Sequence, residues 1–202
     1  MLRNDFFVYL TCIFVVCLLK WAYIRYQERG RNALYKMSVK KMTALAMLVA
    51  LNIIMAEVTK FPLIPKVLEL SFGFVPVAMT GMLFGPVTAM LVSGVADVIG
   101  AVLAGVEFFP GYTLSAVLSG LIYGWTLHKQ NASVWRIALG QLLVSLIVYA
   151  GCNTLWAYMM GYGRSMQYVV TRFTVNAVSY PVYVFILYLM MRYRRTFERV
   201  VK

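Results

Sequence analysis

Few side chains in this sequence can do chemistry, and most of those few lie inside apolar runs. Asp97 is the one acid far from either end of such a run, and Arg172 stands about one turn inside another. A charge held within a bilayer is expensive, so each is a functional candidate by default. Two uses are open to Asp97. Its carboxylate can accept hydrogen bonds from the edge of a polar ligand, or it can partner a helix hydroxyl or a basic residue inside the bundle. Asn153, near the outer end of a long apolar run, adds an amide that both donates and accepts.

The stretch Phe108-Phe109-Pro110-Gly111-Tyr112-Thr113-Leu114-Ser115-Ala116 is the most informative in the chain. Pro110 fixes its own φ and lacks an N–H, while Gly111 can take conformations closed to other residues, so the pair ends one segment and opens the next. Flat aromatic faces flank it. Thr113 and Ser115 bring hydroxyls to the place where a helix would begin, close to exposed backbone N–H groups. Such a segment can cradle a flat ligand with polar edges. It can equally be a tight turn whose aromatics anchor at the membrane interface.

Catalysis finds little support. There is no Gly-x-x-x-x-Gly-Lys-Ser/Thr phosphate loop, so the chain is not expected to hydrolyse ATP alone. His-Glu-x-x-His, Cys-x-x-Cys and Gly-x-Ser-x-Gly are also absent, and His128, the one histidine, sits at a helix end. Cys12, Cys17 and Cys152 lie in apolar runs without metal-ligand spacing, so neither a metal nor another cofactor is expected. Binding or transport is the natural class. An ion-coupled secondary transporter working through Asp97 is the rival of different kind, although the inverted repeat that would favour it is not evident.

The elements that must position these groups are membrane helices. Of 202 residues, 62% are hydrophobic and 13% charged, with mean hydropathy +0.76. A spanning helix needs about 20 mostly apolar residues, and the chain supplies such runs in succession. Residues 1–28 read as an extra N-terminal anchor helix, because the basic charge follows the apolar core instead of preceding it as in a signal peptide. Residues 29–41 are a basic linker, 42–192 a six-helix membrane domain and 193–202 a basic tail. The expected fold is therefore all-α and integral to the membrane.

Within 42–192 the apolar runs are Met42–Val58, Ser71–Phe84, Val87–Ala104, Leu114–Leu127, Ile137–Met160 and Tyr168–Met191. Thr59 to Leu70, broken by Pro62 and Pro65, reads as an ordered outer loop. The net charge of +12 sits in the linker, in the loop around His128 and in the tail, which makes those segments and the C-terminus cytoplasmic and argues against nucleic acid as partner. Polar and aromatic groups from four segments then converge on the outer side. Ala46 and Ala50, four apart, leave a shallow groove where another helix can approach.

Several strings carry a resemblance. Leu70-Ser71-Phe72-Gly73-Phe74-Val75-Pro76, Gly81-Met82-Leu83-Phe84-Gly85-Pro86, Ala96-Asp97-Val98-Ile99-Gly100, Phe109-Pro110-Gly111-Tyr112-Thr113-Leu114-Ser115-Ala116 and Gly120-Leu121-Ile122-Tyr123-Gly124 look like the substrate-binding S-components of energy-coupling-factor vitamin transporters, most nearly the folate-specific ones. Asn153-Thr154-Leu155-Trp156 and Thr171-Arg172 with Asn176 extend the likeness over roughly residues 40 to 192. The resemblance implies a cell-membrane protein that captures folate or a related vitamin outside and works with a membrane coupling subunit and two cytoplasmic ATPases in an ABC importer. It implies that Ala46 and Ala50 meet the coupling subunit. It places the ligand among Asp97, Phe109, Pro110, Gly111, Tyr112, Thr113, Ser115, Asn153, Trp156 and Arg172. In that reading Asp97 or Asn153 reads the edge of a pterin-like ring, the aromatics sandwich it, and Arg172 neutralises a carboxylate or pairs with Asp97. Two positions depart from the pattern, Glu69 where a base is expected and Val175 where Lys or Gln is usual. Lys66 is then one compensating cation for the ligand's carboxylates, and a folate fragment or another aromatic vitamin is the alternative substrate.

Overall fold

The computed structural model describes residues 39–58, 61–64, 68–106, 108–128, 133–161 and 166–201. The expected anchor at 1–28, nearly all of the linker and Lys66 lie outside the described residues. Helix α1 (Val39–Val58) is followed by an antiparallel hairpin of β1 (Phe61–Ile64) and β2 (Leu68–Leu70). Then come α2 (Phe74–Phe84), α3 (Pro86–Ala104) and α4 (Pro110–Leu127). Helix α5 (Val134–Met159) is α-helical at both ends and π-helical over Val144–Cys152. Finally α6 (Met166–Arg192) leads through Tyr193 into α7 (Arg194–Val201).

Local chemistry sets the boundaries. Pro86 and Pro110 each occupy the first turn of a helix, where the missing N–H is unpaired in any case. Gly85 at φ 90° turns the chain between α2 and α3, a conformation that a Cβ would strain. The segment expected as an ordered outer loop holds the hairpin, in which Phe61 pairs with Leu70 and Pro62 with Glu69 before the register shifts. Pro62 has no N–H to give, which suits a two-stranded ribbon with open edges.

Helices α1, α3, α5 and α6 are long and apolar enough to cross a membrane. The expected span at Ser71–Phe84 is different. Helix α2 has 11 residues, a rise of about 16 Å against a hydrocarbon core of about 30 Å. It needs no lipid-facing surface because it is the core helix: Phe74, Val77, Ala78 and Met82 are all buried. Phe74 lies 4.6 Å from the Tyr183 ring of α6, and the buried Tyr123 hydroxyl of α4 donates to Gln141 Oε1 of α5 at 2.8 Å.

Small residues bring α3 and α4 together. A Cβ on Gly124 would lie 2.2 Å from Pro86 Cα, and one on Gly120 would lie 2.6 Å from the Ala89 carbonyl oxygen. Gly120 and Gly124 thus let the two helices pack closely within the bundle. Helix α1 behaves otherwise. Ala46, Met47, Ala50, Leu51 and Ile54 are all exposed, so its Ala46/Ala50 stripe faces away from the other helices.

The basic tail is an ordered element. Arg194 is buried, and its Nη1 and Nη2 donate to the carbonyls of Leu127 and His128 at 3.3 and 3.1 Å. These two carbonyls end α4, where no further turn supplies donors. Arg194 Nε also donates to Glu198 Oε1 at 2.6 Å, and Phe197 packs on the core. Helix α7 is therefore pinned against the end of α4.

Candidate functional site

The candidate site lies at the opposite end of α4. Phe109 caps the helix in an extended conformation (φ −122°, ψ 117°) and Pro110 starts it, so Thr113 and Ser115 fall inside the first turns, not at the cap. From there they reach two different helices. Thr113 Oγ1 donates to Asp97 Oδ2 of α3 at 2.7 Å. Ser115 Oγ accepts from Trp156 Nε1 of α5 at 3.0 Å. The use of Asp97 as a partner for a helix hydroxyl is the one observed.

Gly111 works through space, not through backbone freedom. It lies within the helix, outside the glycines of positive φ. A Cβ there would stand 2.5 Å from Phe109 Cε1 and 2.6 Å from Trp156 Cδ2. Only a missing side chain lets these rings close over α4. The Phe109 and Trp156 centroids are 5.9 Å apart at 53°, and Phe109 meets Tyr112 edge-on at 6.1 Å and 72°. Tilted and edge-on pairs at this separation are favourable arrangements of aromatic quadrupoles.

Helix α5 brings Asn153, Thr154 and Trp156 to this end immediately after its π-helical stretch. The wider i→i+5 turn changes the face on which later residues emerge, and such stretches recur at functional sites. Trp156 is buried. Asn153 Oδ1 and Thr154 Oγ1 are buried and make no hydrogen bond among the described residues. Arg172 Nη1, on the part of α6 that follows the short α5–α6 connection, is likewise buried and unpartnered. The Arg172 guanidinium lies over the Tyr168 ring at 5.2 Å, and its backbone carbonyl accepts from Asn176 Nδ2 at 3.0 Å. Each unpaired buried polar atom costs about 1–3 kcal/mol, more for a charged group, so three at one end of a bundle call for an explanation.

The structure thus links Asp97, Thr113, Ser115, Trp156, Phe109, Gly111 and Tyr112 through direct contacts across α3, α4 and α5. Asn153 and Arg172 lie at the same end. Arg172 is not paired with Asp97, whose carboxylate is taken by Thr113. Thr154 and Tyr168 join the group without having been singled out as ligand contacts. What the arrangement offers is a buried aromatic wall, an acceptor amide oxygen, a hydroxyl and one cation with a free N–H. Such a set suits a flat, polar-edged, anionic molecule.

Known proteins point the same way. The family model for the ECF transporter substrate-specific component matches residues 40–193. A folate transporter FolT of Clostridium novyi (strain NT) is 33% identical over 153 residues, spanning 74% of this chain and 87% of that protein. A folate transporter FolT of Leuconostoc mesenteroides is 31% identical over 163 residues, spanning 77% of this chain and 86% of its own length. A crystal structure of FolT bound with folic acid superposes with a TM-score of 0.71 at 29% identity, covering 77% of this chain and 94% of that one.

Proposed function

This chain belongs to the family of ECF transporter substrate-specific components, and from that premise we propose that it is the folate-capturing subunit of an ATP-driven importer. The observation that carries the reading is the trio of buried, unpartnered polar atoms, Asn153 Oδ1, Thr154 Oγ1 and Arg172 Nη1, at the end of the bundle walled by Phe109 and Trp156. A pterin ring is flat with donors and acceptors on its edge, and the tail of folate is anionic. The ring stacks on the aromatic pair with its edge turned to Asn153 and Thr154, and Arg172 takes a carboxylate. The relatives named FolT and the likeness to the folic-acid complex support this assignment.

Asp97 acts at one remove. Through Thr113 it fixes the first turns of α4, the segment that carries Tyr112 and presents Ser115 to Trp156. Six helices, α1 to α6, make up the substrate-binding bundle, with the site toward the outside and the tail toward the cytoplasm. The exposed Ala46/Ala50 stripe on α1 receives the membrane coupling subunit, because small residues on a lipid-facing helix let a partner backbone come close. ATP hydrolysis belongs to two cytoplasmic subunits recruited with it.

The test is a titration of the purified protein in detergent, by calorimetry and by the emission of the buried Trp156. Saturation at one folate per protein is the expected outcome. Glu69 and Val175 favour one second reading, in which fewer cations hold the ligand's tail and the substrate is a folate fragment or another aromatic vitamin. Saturation by such a compound, with folate inert, selects that reading. Silence across a vitamin panel refutes substrate capture at this site.

A further inference from the structure

At the end of the bundle away from the site, one surface is almost purely cationic. Lys40 and Lys41 in the first turn of α1, Arg192 at the end of α6, and Arg195 and Arg199 on α7 are all exposed. Helix α7 packs on α1, α2 and α6, so these residues share one surface. Its two faces are chemically distinct. Arg194, Phe197 and Glu198, at i, i+3 and i+4, turn inward: the first is buried, the second packs on the core and the third is bonded to the first. Arg195 and Arg199, at i and i+4, turn outward. The one carboxylate on α7 is engaged by Arg194, and no carboxylate among the described residues is paired with the outward cations. Large amphipathic rings lie at this same end. Trp125 is 69% exposed, Trp135 79% and Tyr193 58%.

We propose that the outer face of α7, with the first turn of α1, binds anionic lipid headgroups. Two observations select lipid over an acidic protein. Exposed Trp and Tyr at the ends of spanning helices sit at headgroup level. Tyr193 is also the single residue between α7 and α6, a helix long enough to cross the bilayer, so α7 leaves the membrane directly into the interfacial layer. Clusters of Lys and Arg beside a spanning helix attract phosphate-bearing headgroups additively. Arg194 supplies what an ordinary basic tail lacks, a fixed position for those charges relative to the bundle. This inference is independent of which vitamin is captured.

The experiment equilibrates the full-length protein in detergent with phosphatidylglycerol or phosphatidylcholine and counts bound lipid by native mass spectrometry at two ionic strengths. Wild type is expected to retain phosphatidylglycerol preferentially, the preference weakening as salt rises. The double substitution Arg195→Gln/Arg199→Gln is expected to lower phosphatidylglycerol affinity about fivefold per arginine removed. Arg195→Lys/Arg199→Lys should restore it, and the ligand titration above confirms that each variant is folded. Equal retention of the two lipids by wild type, or an undiminished preference in the Gln variant, overturns the proposal. So does a Gln variant that keeps its lipid preference but no longer assembles with the ATPase-bearing module, which would assign the face to a protein partner.

Discussion

Gly111→Ala adds one methyl group at the most crowded point of the site. The new Cβ would stand 2.5 Å from Phe109 Cε1 and 2.6 Å from Trp156 Cδ2, where ordinary contact begins at 3.4 Å. Each ring must therefore retreat by about 1 Å or rotate, and Trp156 cannot do so without stretching its 3.0 Å hydrogen bond to Ser115. Overpacking of this kind costs about 1–3 kcal/mol. The backbone is not the difficulty, because alanine is up to about 1 kcal/mol better than glycine inside a helix. The folded protein should survive with its aromatic wall displaced, and folate affinity should fall about 5- to 150-fold. Calorimetric titration measures the affinity, and a blue or red shift of Trp156 emission in the free protein reports the ring's displacement. Phe109→Ala separates the cause from its consequence. If collision is responsible, Gly111→Ala on a Phe109→Ala background costs less than it does alone. Wild-type affinity in Gly111→Ala would refute the reasoning, since it would mean that the pair of rings does not form the ligand's wall.

Three further outcomes are expected. Thr154→Val removes a buried hydroxyl that has no partner among the described residues, so the free protein should melt at the same or a higher temperature while folate affinity falls by about 1 kcal/mol or more, as differential scanning fluorimetry with and without folate can show. Arg172→Met keeps an apolar stem but loses the charged guanidinium that lies over Tyr168. It should weaken folate about 10- to 150-fold, the equivalent of about 1.5–3 kcal/mol for a charged hydrogen bond, and should weaken a ligand lacking the glutamate tail much less. Ala46→Trp or Ala50→Trp fills the exposed stripe on α1 and should abolish co-purification with the coupling subunit at unchanged folate affinity.

Much of this architecture is legible in the order of residues, and the exceptions share a cause. The Pro-Gly break marks the start of α4 because proline is stereochemically committed to a first turn. Gly111 next to it is a different case. Its position is visible in the string, but its use depends on Trp156, which arrives from the far end of the next helix. Asp97 announces itself through the cost of a membrane carboxylate, yet its partner Thr113 is 16 residues away on another helix. Thr154 gives no signal at all. Thr80, Thr88, Thr126, Thr171 and Thr174 each satisfy their hydroxyl on the carbonyl three or four residues back, and any helical threonine can do the same. Which one is left unpaired depends on tertiary packing. Helix α2 looked like a span because its residues are apolar, and apolarity alone does not distinguish lipid from protein as the surroundings. The Arg194–Glu198 pair could be read at i,i+4, whereas the carbonyls of Leu127 and His128 lie 67 and 66 residues away.

The π-helical stretch of α5 makes the site depend on counting. Between Val144 and Cys152 the backbone advances by i→i+5 bonds, so the segment Asn153–Met159 is out of phase with the α-helical segment Val134–Leu143 that precedes it. Removing one residue from that stretch would let the helix resume a regular α repeat and would turn everything beyond it by about 100°. Trp156 would swing off Ser115, and Asn153 and Thr154 would point into a neighbouring helix or the lipid, although every side chain of the site was still present. The two ends of α5 thus answer to different masters. The first half is set by packing on α4 and α6 at the tail end, and the second by the contacts of Trp156 with Ser115 and Phe109. The π turns absorb the difference as a gear with one extra tooth would, so inserting or deleting a single residue there re-aims every side chain beyond it.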